Sequence, residues 1–208
     1  MTRAQAKALQ QWKEVYCLPF IPEKKLNLSA IFPGKEKILL EIGFGMGEAT
    51  AQLASANPHW GFLGIEVHTP GIGKLLWEIE NRNLQNLRII QADAVQVLEE
   101  MIGENALHGV HIFFPDPWPK KRHHKRRLIN DTFLLLVASR LVAGGYLYLV
   151  TDWEDYALSM LETLTRCSFF QNPYKDFAPP REWRPTTSFE KKALKQGHKI
   201  WEIYALKA

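Results

Sequence analysis

Apolar residues along the chain form two kinds of pattern that alternate from residue 37 onward. Short continuous apolar runs are separated by longer segments in which apolar residues recur every three or four positions. The continuous runs are typical of strands buried on both faces, whereas the longer spacing predicts amphipathic helices. The predicted strands cover about residues 37–42, 61–65, 87–90, 111–114, 146–150, 169–171 and 199–205.

The intervening segments predict a helix after almost every strand. These helices cover about residues 5–15, 48–54, 72–81, 94–101, 128–142 and 156–165. The helix at 128–142 is expected to stop at Gly144-Gly145, because glycine commonly follows a helix C-terminus. Alternation of strands and helices predicts an α/β fold: a doubly wound, mostly parallel sheet of seven strands with right-handed crossovers.

The composition is that of an ordinary globular protein, with 46% hydrophobic and 23% charged residues among 208. We expect one domain, residues 34–208, preceded by an N-terminal helix and arm, residues 1–33. No apolar run approaches the roughly 20 residues that span a bilayer, and the N-terminus lacks the apolar core of an export signal. Cys17 and Cys167 lie far apart, and the seven histidines show no metal-ligand spacing. These features predict a cytoplasmic protein with free thiols and neither a metal site nor a membrane anchor.

An acidic residue stands at or just beyond the end of each of the first five predicted strands. In a doubly wound sheet, ligands bind outside the carboxyl ends of the strands, near the point where the strand order reverses. A helix N-cap explains one such acid, but five in succession indicate a binding site. These residues are Glu41, Glu66, Asp93, Asp116 and Asp152.

The first of these strands leads into a glycine loop made of Gly43, Gly45 and Gly47. The dinucleotide-binding fingerprint requires a third glycine where this chain has Glu48, and no Walker lysine is present. A pyrophosphate would therefore meet Glu41 and Glu48 without a compensating cation. S-adenosylmethionine fits better, since it carries a sulfonium and an ammonium group and no phosphate.

The next two strand-end acids extend the predicted cofactor site. Glu66 lies about 20 residues beyond the glycine loop, where dinucleotide-binding folds place the acid that binds the ribose hydroxyls. Asp93, at the end of the third strand, is then expected near the adenine edge. No metal is required for this mode of binding.

The segment from His111 to Arg127 joins a buried strand to a rigid, basic stretch. Three prolines flank Asp116 and Trp118, and six cations follow within residues 120–127, more than the whole net charge of +4. Such a cluster predicts an anionic partner, although a solvated helix start gives the same pattern. Trp118 either stacks on a base or packs against the prolines. The expected phosphate contacts, pointing away from the acidic strand ends, are Arg122, Lys125 and Arg126.

Six segments of the chain resemble the signature blocks of bacterial tRNA (guanine-N7-)-methyltransferases. The segments are LEIGFGMGE, GIEVHTPGIG, QADA, FFPDPWPKKRHHKRR, TDWEDY and RPTTSFE, spread over residues 40 to 190. The resemblance implies a class I methyltransferase fold and S-adenosylmethionine as methyl donor. It further implies methylation at N7 of a guanine in the variable loop of tRNA, forming 7-methylguanosine. No obligatory protein partner is inferred.

The resemblance also implies roles for single residues. Glu41, Glu66, Asp93 and Asp116 match cofactor-contacting positions, and Asp116 is in addition the expected active-site residue. Residues matching tRNA or target-base positions are Lys120, Asp152, Thr187, Ser188, Phe189 and Glu190. Ser188 replaces a lysine that is usual in the family, and the N-terminal arm lacks basic residues that often precede it. Which of Asp116, Asp152 and Glu190 contacts the guanine stays open.

Two other functions are compatible with the same fold. One is a methyltransferase acting on another target, such as an mRNA cap guanine or a small molecule; the basic stretch disfavours the small molecule, and the family blocks disfavour the cap. The other is a non-catalytic RNA-binding protein that keeps the fold. The complete set of strand-end acids disfavours this second alternative, since loss of activity would leave those positions free to change.

Overall fold

A computed structural model describes residues 1–208 and contains a single eight-stranded sheet. The strand order across the sheet is β1-β4-β3-β2-β5-β6-β8-β7, in which only β8 is antiparallel to its neighbours β6 and β7. The strands are β1 (Cys17–Leu18), β2 (Lys37–Ile42), β3 (Trp60–Ile65), β4 (Leu87–Ile90), β5 (Leu107–Phe113), β6 (Leu141–Thr151), β7 (Phe170–Gln171) and β8 (Trp201–Lys207).

Eight α-helices and one 3₁₀ helix accompany the sheet. The α-helices are α1 (Arg3–Tyr16), α2 (Leu28–Ile31), α3 (Glu48–Ala56), α4 (Thr69–Asn81), α5 (Ala94–Glu100), α6 (Asp131–Arg140), α7 (Glu154–Arg166) and α8 (Ser188–Lys195). The 3₁₀ helix is Lys121–Arg126. No helix combines the length and the apolar character that crossing a membrane requires.

The predicted fold class is confirmed, but the prediction of seven strands is wrong. The eighth strand is β1, where Cys17 and Leu18 pair in parallel with Ile89 and Ile90 of β4. Two residues are too few to produce a periodic pattern, so the pairing of the N-terminal arm leaves no trace in the sequence. Residues 1–33 thus add a strand to the edge of the sheet as well as α1.

The predicted end of α6 is also wrong. The helix stops at Arg140, and Gly144 and Gly145 lie inside β6 rather than at a helix end. Leu141 already pairs with Leu107, and the register then shifts before Tyr146 pairs with Gly109. Gly144 adopts a left-handed φ of 72° within this irregular stretch, a conformation that favours glycine. The two glycines therefore lie at an irregularity within β6, and glycine is favoured there for the same conformational freedom that favours it at helix ends.

The two faces of the sheet are covered differently. One face packs against α5, α6 and α7 through the larger apolar core. On the other face, α1, α3 and α4 cover β2, β3 and β4. Over β5 and β6 that second face instead carries aromatic side chains, with Trp183 of the irregular segment 172–187 packed on His111 and Tyr148. This irregular cover borders the edge of the sheet where the strand-end acids lie.

The strand order reverses between β2 and β5, which lie side by side at the centre of the sheet. From β2 the chain proceeds outward through β3 and β4, and from β5 it proceeds outward through β6. The loops that leave β2 and β5 therefore run in opposite directions and open a crevice at the carboxyl end of the sheet.

Candidate functional site

A cavity of about 580 Å³ occupies the crevice between β2 and β5. Its walls come from the glycine loop, the ends of β3 and β5, the start of α5, the proline-rich corner and the N-terminus of α8. Of the residues predicted for the site, the structure brings together Glu41, Gly43, Gly45, Gly47, Glu66, Asp93, Asp116, Arg126, Thr187, Ser188 and Phe189. With Glu48 of α3, which also lines the cavity, five carboxylates from five segments of the chain therefore face it.

The glycine loop is held by Glu66. Its three glycines all have left-handed φ values, of 70°, 58° and 72°. The backbone N–H of Gly45 donates to Glu66 Oε2 at 2.9 Å, while Val67 and His68 donate to Oε1 at 2.7 and 3.0 Å. One carboxylate thus ties the loop after β2 to the end of β3 and also lines the cavity.

Gly71 allows α4 to approach this loop. A Cβ atom at Gly71 would lie 2.0 Å from the carbonyl oxygen of Gly45, a distance that no side chain tolerates. Gly71 is not among the site residues predicted from the sequence. Gly71 follows Thr69-Pro70 in the first turn of a helix, where any small residue is acceptable. The sequence alone therefore does not show that glycine is required there for packing.

Glu41 is buried at the floor of the cavity. It is 5% exposed, and its Oε2 has no hydrogen-bond partner. Burial raises the pKa of Glu41 to about 7, and the nearby Glu66 carboxylate acts in the same direction. An unpaired carboxylate oxygen beside a cavity is a site for a cationic donor, because burial of an unpartnered charge is unfavourable.

Asp93 has two roles in the structure. Its Oδ1 accepts hydrogen bonds from the backbone N–H groups of Val95 and Gln96 at 3.0 and 3.2 Å, which makes it the N-cap of α5. It is nevertheless exposed and lines the cavity. The simple N-cap explanation and the binding-site explanation of this acid are therefore compatible.

The proline-rich corner holds Asp116 in a constrained backbone. Phe114 and Trp118, each followed by proline, have left-handed φ values of 54° and 46°. Such conformations cost about 1–3 kcal/mol each and cluster at functional sites. Asp116 lies between them, exposed at the cavity wall. The backbone is therefore constrained on both sides of Asp116.

Arg127 supports the proline-rich corner from a buried position. Its Nε donates to the carbonyl oxygen of Pro117 at 2.9 Å, and its Nη2 pairs with Asp155. The guanidinium lies 4.7 Å from the Tyr156 ring centre, and the residue is 6% exposed. This pairing lowers the pKa of Asp155. Arg127 is thus a buried part of the corner, although it belongs to the same run of six cations.

Of the five remaining cations of the basic stretch, Lys120 directly precedes the 3₁₀ helix, and the other four lie on it in two groups. Lys121, Arg122 and Lys125 are exposed and form no ion pair. Arg126 lines the cavity, with its guanidinium 4.9 Å from the Trp118 ring centre. The expectation that Arg126 points away from the strand-end acids is therefore wrong. Trp118 also contacts His123 edge-on at 5.9 Å, so the structure packs the indole between two side chains of the basic stretch.

The N-terminus of α8, a helix that the sequence analysis did not predict, closes the cavity. Thr187 is its N-cap and accepts from the backbone N–H of Glu190 at 3.1 Å. Phe189 is exposed, and its ring would lie 3.5 Å from a Cβ placed on Gly45. The amphipathic pattern of α8 is only two turns long, which is why it was missed.

Three predicted substrate-binding residues lie outside the cavity. Both oxygens of Glu190 pair with Arg184, and the residue is 7% exposed. Asp152 accepts from His198, with its Oδ2 2.9 Å from Nδ1, and Lys120 is exposed beyond the proline-rich corner. Among the three acids considered for the guanine, Asp116 is therefore the one at the cavity. No group of three or more His, Cys, Asp or Glu side chains is arranged to hold a metal ion.

Replacing Glu41 by glutamine is expected to stabilise the ligand-free protein in a pH-dependent way. With a folded pKa of about 7 against an ordinary value of 4.5, wild-type Glu41 favours folding at low pH, and this contribution is lost as the pH rises through 7. Glutamine does not ionise, so the variant gains up to about 3 kcal/mol relative to wild type above pH 8. Thermal or urea unfolding at pH 5 and pH 8.5 measures the difference.

The control for this experiment is Glu48→Gln, which removes an exposed carboxylate from the adjoining helix α3. Its effect on stability should depend little on pH over the same range. A Glu41→Gln variant whose stability difference from wild type is equal at pH 5 and pH 8.5 would contradict a raised pKa.

Comparison with known proteins extends these observations over almost the whole chain. A family model described as putative methyltransferase matches residues 35–203, which include every residue of the cavity wall. The tRNA (guanine-N(7)-)-methyltransferases of Methylobacillus flagellatus and Bordetella pertussis are each 48% identical to this chain, covering 98% of it and 85% and 80% of their own lengths.

A solved structure, that of the 16S rRNA methyltransferase KamB, superposes with a TM-score of 0.67 at 12% identity, covering 93% of this chain and 99% of its own. That likeness shows the fold. Because the sequence match at nearly half identity includes the glycine loop, the proline-rich corner and the α8 N-terminus, this chain belongs to the tRNA (guanine-N(7)-)-methyltransferase family.

Proposed function

We propose that this protein transfers a methyl group from S-adenosylmethionine to N7 of a guanine in the variable loop of tRNA, forming 7-methylguanosine. The observation that carries the proposal is the position of Asp116. It lies in a constrained corner at the wall of an acidic cavity, directly before an exposed basic helix. The names of the similar proteins support the same reaction. Because tRNA is the substrate, we also propose the cytoplasm as the compartment.

The cavity fits S-adenosylmethionine by charge. The unpartnered oxygen of Glu41 is available to an ammonium group, and Glu66 and Asp93 have oxygens that accept from ribose or adenine donors. No lysine lines the cavity, and its single cation is Arg126, next to Trp118, so a phosphate-bearing ligand has little support near the glycine loop. When bound, the cofactor supplies an electrophilic methyl group. We propose that the role of Glu41 is to bind the positive end of the cofactor.

The protein's part in the reaction is placement and electrostatics. Guanine N7 carries a free lone pair, so no proton has to be removed before attack, and the ring gains positive charge as the new bond forms. Asp116 is proposed to accept from the N1 and N2 hydrogens of the guanine and to offset that charge. Because Phe114 and Trp118 fix the backbone on both sides, the carboxylate needs little reorganisation during the reaction.

Binding of tRNA is proposed to involve two surfaces. Arg122 and Lys125 of the 3₁₀ helix contact phosphates, since both are exposed and free of ion pairs. Arg126 and Trp118 lie at the cavity mouth, between those phosphates and the reacting base. Lys120 and Asp152, outside the cavity, are proposed to contact tRNA next to the target guanine.

Nucleoside analysis tests the proposed function directly. The protein is incubated with bulk tRNA and S-adenosylmethionine carrying a labelled methyl group, and the tRNA is then digested and separated. The expected product is 7-methylguanosine, and cleavage at the modified base maps it to the variable loop. A label at a ring carbon, an exocyclic amine or a ribose oxygen would point to another methyltransferase, and tRNA binding without any label would point to a non-catalytic RNA-binding protein.

Asp116→Asn is expected to lower kcat by about 100-fold, the usual size for one electrostatic contact to a reacting group. The amide keeps the shape and can still accept one hydrogen bond, but it lacks the charge that opposes the developing positive ring. Affinity for tRNA should change much less, because the interaction is made chiefly in the transition state. Asp131→Asn, which removes an exposed carboxylate from α6, is the control. An Asp116→Asn enzyme with wild-type kcat would remove Asp116 from the chemistry.

Changing Arg122 and Lys125 together to alanine is expected to weaken tRNA binding and to flatten its salt dependence. Each phosphate contact contributes about 1 to the slope of log affinity against log salt, so the slope should fall by about 2. The matched control changes Lys35 and Lys37 together to alanine; these two cations lie at the amino end of β2, opposite the cavity. Binding titrations at several salt concentrations measure both slopes. If the two double variants keep equal slopes, the tRNA surface lies elsewhere.

A further inference from the structure

The N-terminus of α8 lines the cavity, yet the segment that leads to it is irregular. Between the end of β7 at Gln171 and the start of α8 at Ser188 there is no helix or strand. Thr187, Ser188 and Phe189 nevertheless line the cavity, with the Phe189 ring beside Gly45 of the glycine loop. One backbone hydrogen bond, from the Ala178 N–H to the Glu202 carbonyl at 2.7 Å, joins the segment to β8, and side-chain contacts supply the rest of its support.

Arg184 makes the most deeply buried charged contact in this segment. Its Nη1 lies 2.5 Å from Glu190 Oε2, and its Nη2 lies 2.8 Å from Glu190 Oε1 and 2.7 Å from Glu202 Oε1. The three side chains are 5%, 9% and 2% exposed. Tyr148 of β6 donates its hydroxyl to the second oxygen of Glu202. One guanidinium thus joins α8 to the two central strands of this half of the sheet.

This arrangement connects directly to the cavity wall. Glu190 is the third residue of α8, and its own N–H is bound by the N-cap Thr187. Fixing the Glu190 carboxylate therefore fixes the first turn, including Phe189 over the glycine loop. We infer that Arg184 is a positioning residue that holds the start of α8 against the cavity by bridging Glu190 to Glu202, and that Glu190 acts through Arg184 and makes no contact with the target base. This inference rests on the proposed function.

Two physical points support this assignment. First, a buried ion pair is a poor device for general stability, because the loss of hydration offsets much of the attraction, whereas its strict geometry fixes the relative position of the parts it joins. Second, both oxygens of Glu190 are already bound to Arg184 and the residue is buried, so reaching a base in the cavity would require breaking a bidentate pair.

The test is a double-mutant cycle with Arg184→Gln, Glu190→Gln and the variant carrying both changes. Each single variant is expected to lose about 10- to 100-fold in kcat, the cost of misplacing binding groups by about 1 Å, and to exchange the amide hydrogens of α8 at least about 10-fold faster. The double variant should be no slower than the slower single variant, because both residues act as one unit. Two glutamines can still hydrogen-bond to each other, so the double variant keeps a folded protein in the comparison.

Arg181→Gln is the matched control. Arg181 lies in the same segment, donates to the Tyr174 hydroxyl at 3.0 Å and lies 3.8 Å from the Tyr204 ring centre, but forms no hydrogen bond or ion pair with α8. Because its side chain forms no hydrogen bond or ion pair with Glu190 or Glu202, the variant should leave kcat and the exchange of α8 within about twofold of wild type. Equal effects of Arg181→Gln and Arg184→Gln would overturn the inference by showing a general loss of packing.

Two further outcomes would also overturn it. If the losses in kcat multiply in the double variant, Glu190 has a role independent of Arg184, such as contact with the base. If α8 exchanges at the wild-type rate in both single variants, Arg184 does not position the helix. Failure of the proposed function gives a different result: wild-type protein then forms no 7-methylguanosine, while the exchange of α8 still reports whether Arg184 holds it.

Discussion

Several carboxylates lie close together at the carboxyl edge of the parallel sheet, and the structure around them has to compensate the resulting negative charge. Backbone N–H groups bind two of these carboxylates: three donate to Glu66, and two donate to Asp93. Glu41 is buried without such donors, with an unpartnered oxygen and a raised pKa. At the floor of the cavity the protein therefore supplies no donor to that oxygen, which leaves it available to a cationic group of a ligand. This asymmetry is a physical reason for a cationic cofactor.

Two arginines with buried side chains lie behind two walls of the cavity. Arg127 binds the backbone of the proline-rich corner and pairs with Asp155 at the start of α7. Arg184 pairs with an acid of α8 and an acid of β8. In both cases a rigid, multidentate group joins an irregular segment to a regular element. An irregular backbone can orient side chains in directions that a helix or strand does not allow, and a buried guanidinium holds that backbone in one conformation.

The cations near the site therefore have separate tasks, which depend on burial rather than on order in the chain. Arg122 and Lys125 are exposed and available to phosphates, Arg126 lies at the cavity mouth on Trp118, and Arg127 is buried a single residue later. On a 3₁₀ helix with three residues per turn, neighbouring side chains point in widely different directions. A compact basic sequence can thus serve the surface, the cavity and the scaffold together.

The sequence by itself determined most of the sheet, its carboxyl edge and the four strand-end acids that line the cavity. Strands such as β2 and β4 were predicted at their observed bounds, because continuous apolar runs between turn residues are typical of buried strands. Glu41, Glu66, Asp93 and Asp116 converge for the same reason: parallel strands end at a common edge whatever the details of packing. The resemblance to a known family added the Thr187–Phe189 segment, which no periodic pattern indicates.

The tertiary structure decided what depends on contacts between distant segments. The pairing of β1 with β4, the approach of Gly71 to Gly45 and the bond of Arg184 to Glu190 and Glu202 leave no local pattern, since each joins residues whose own neighbours look ordinary. The basic stretch is a further case, because the sequence shows its charges but does not show which of them are exposed. Sequence fixes which chemical groups are present and along which edge they lie; burial and pairing, which arise only when the chain is folded, decide which of those groups are free to act.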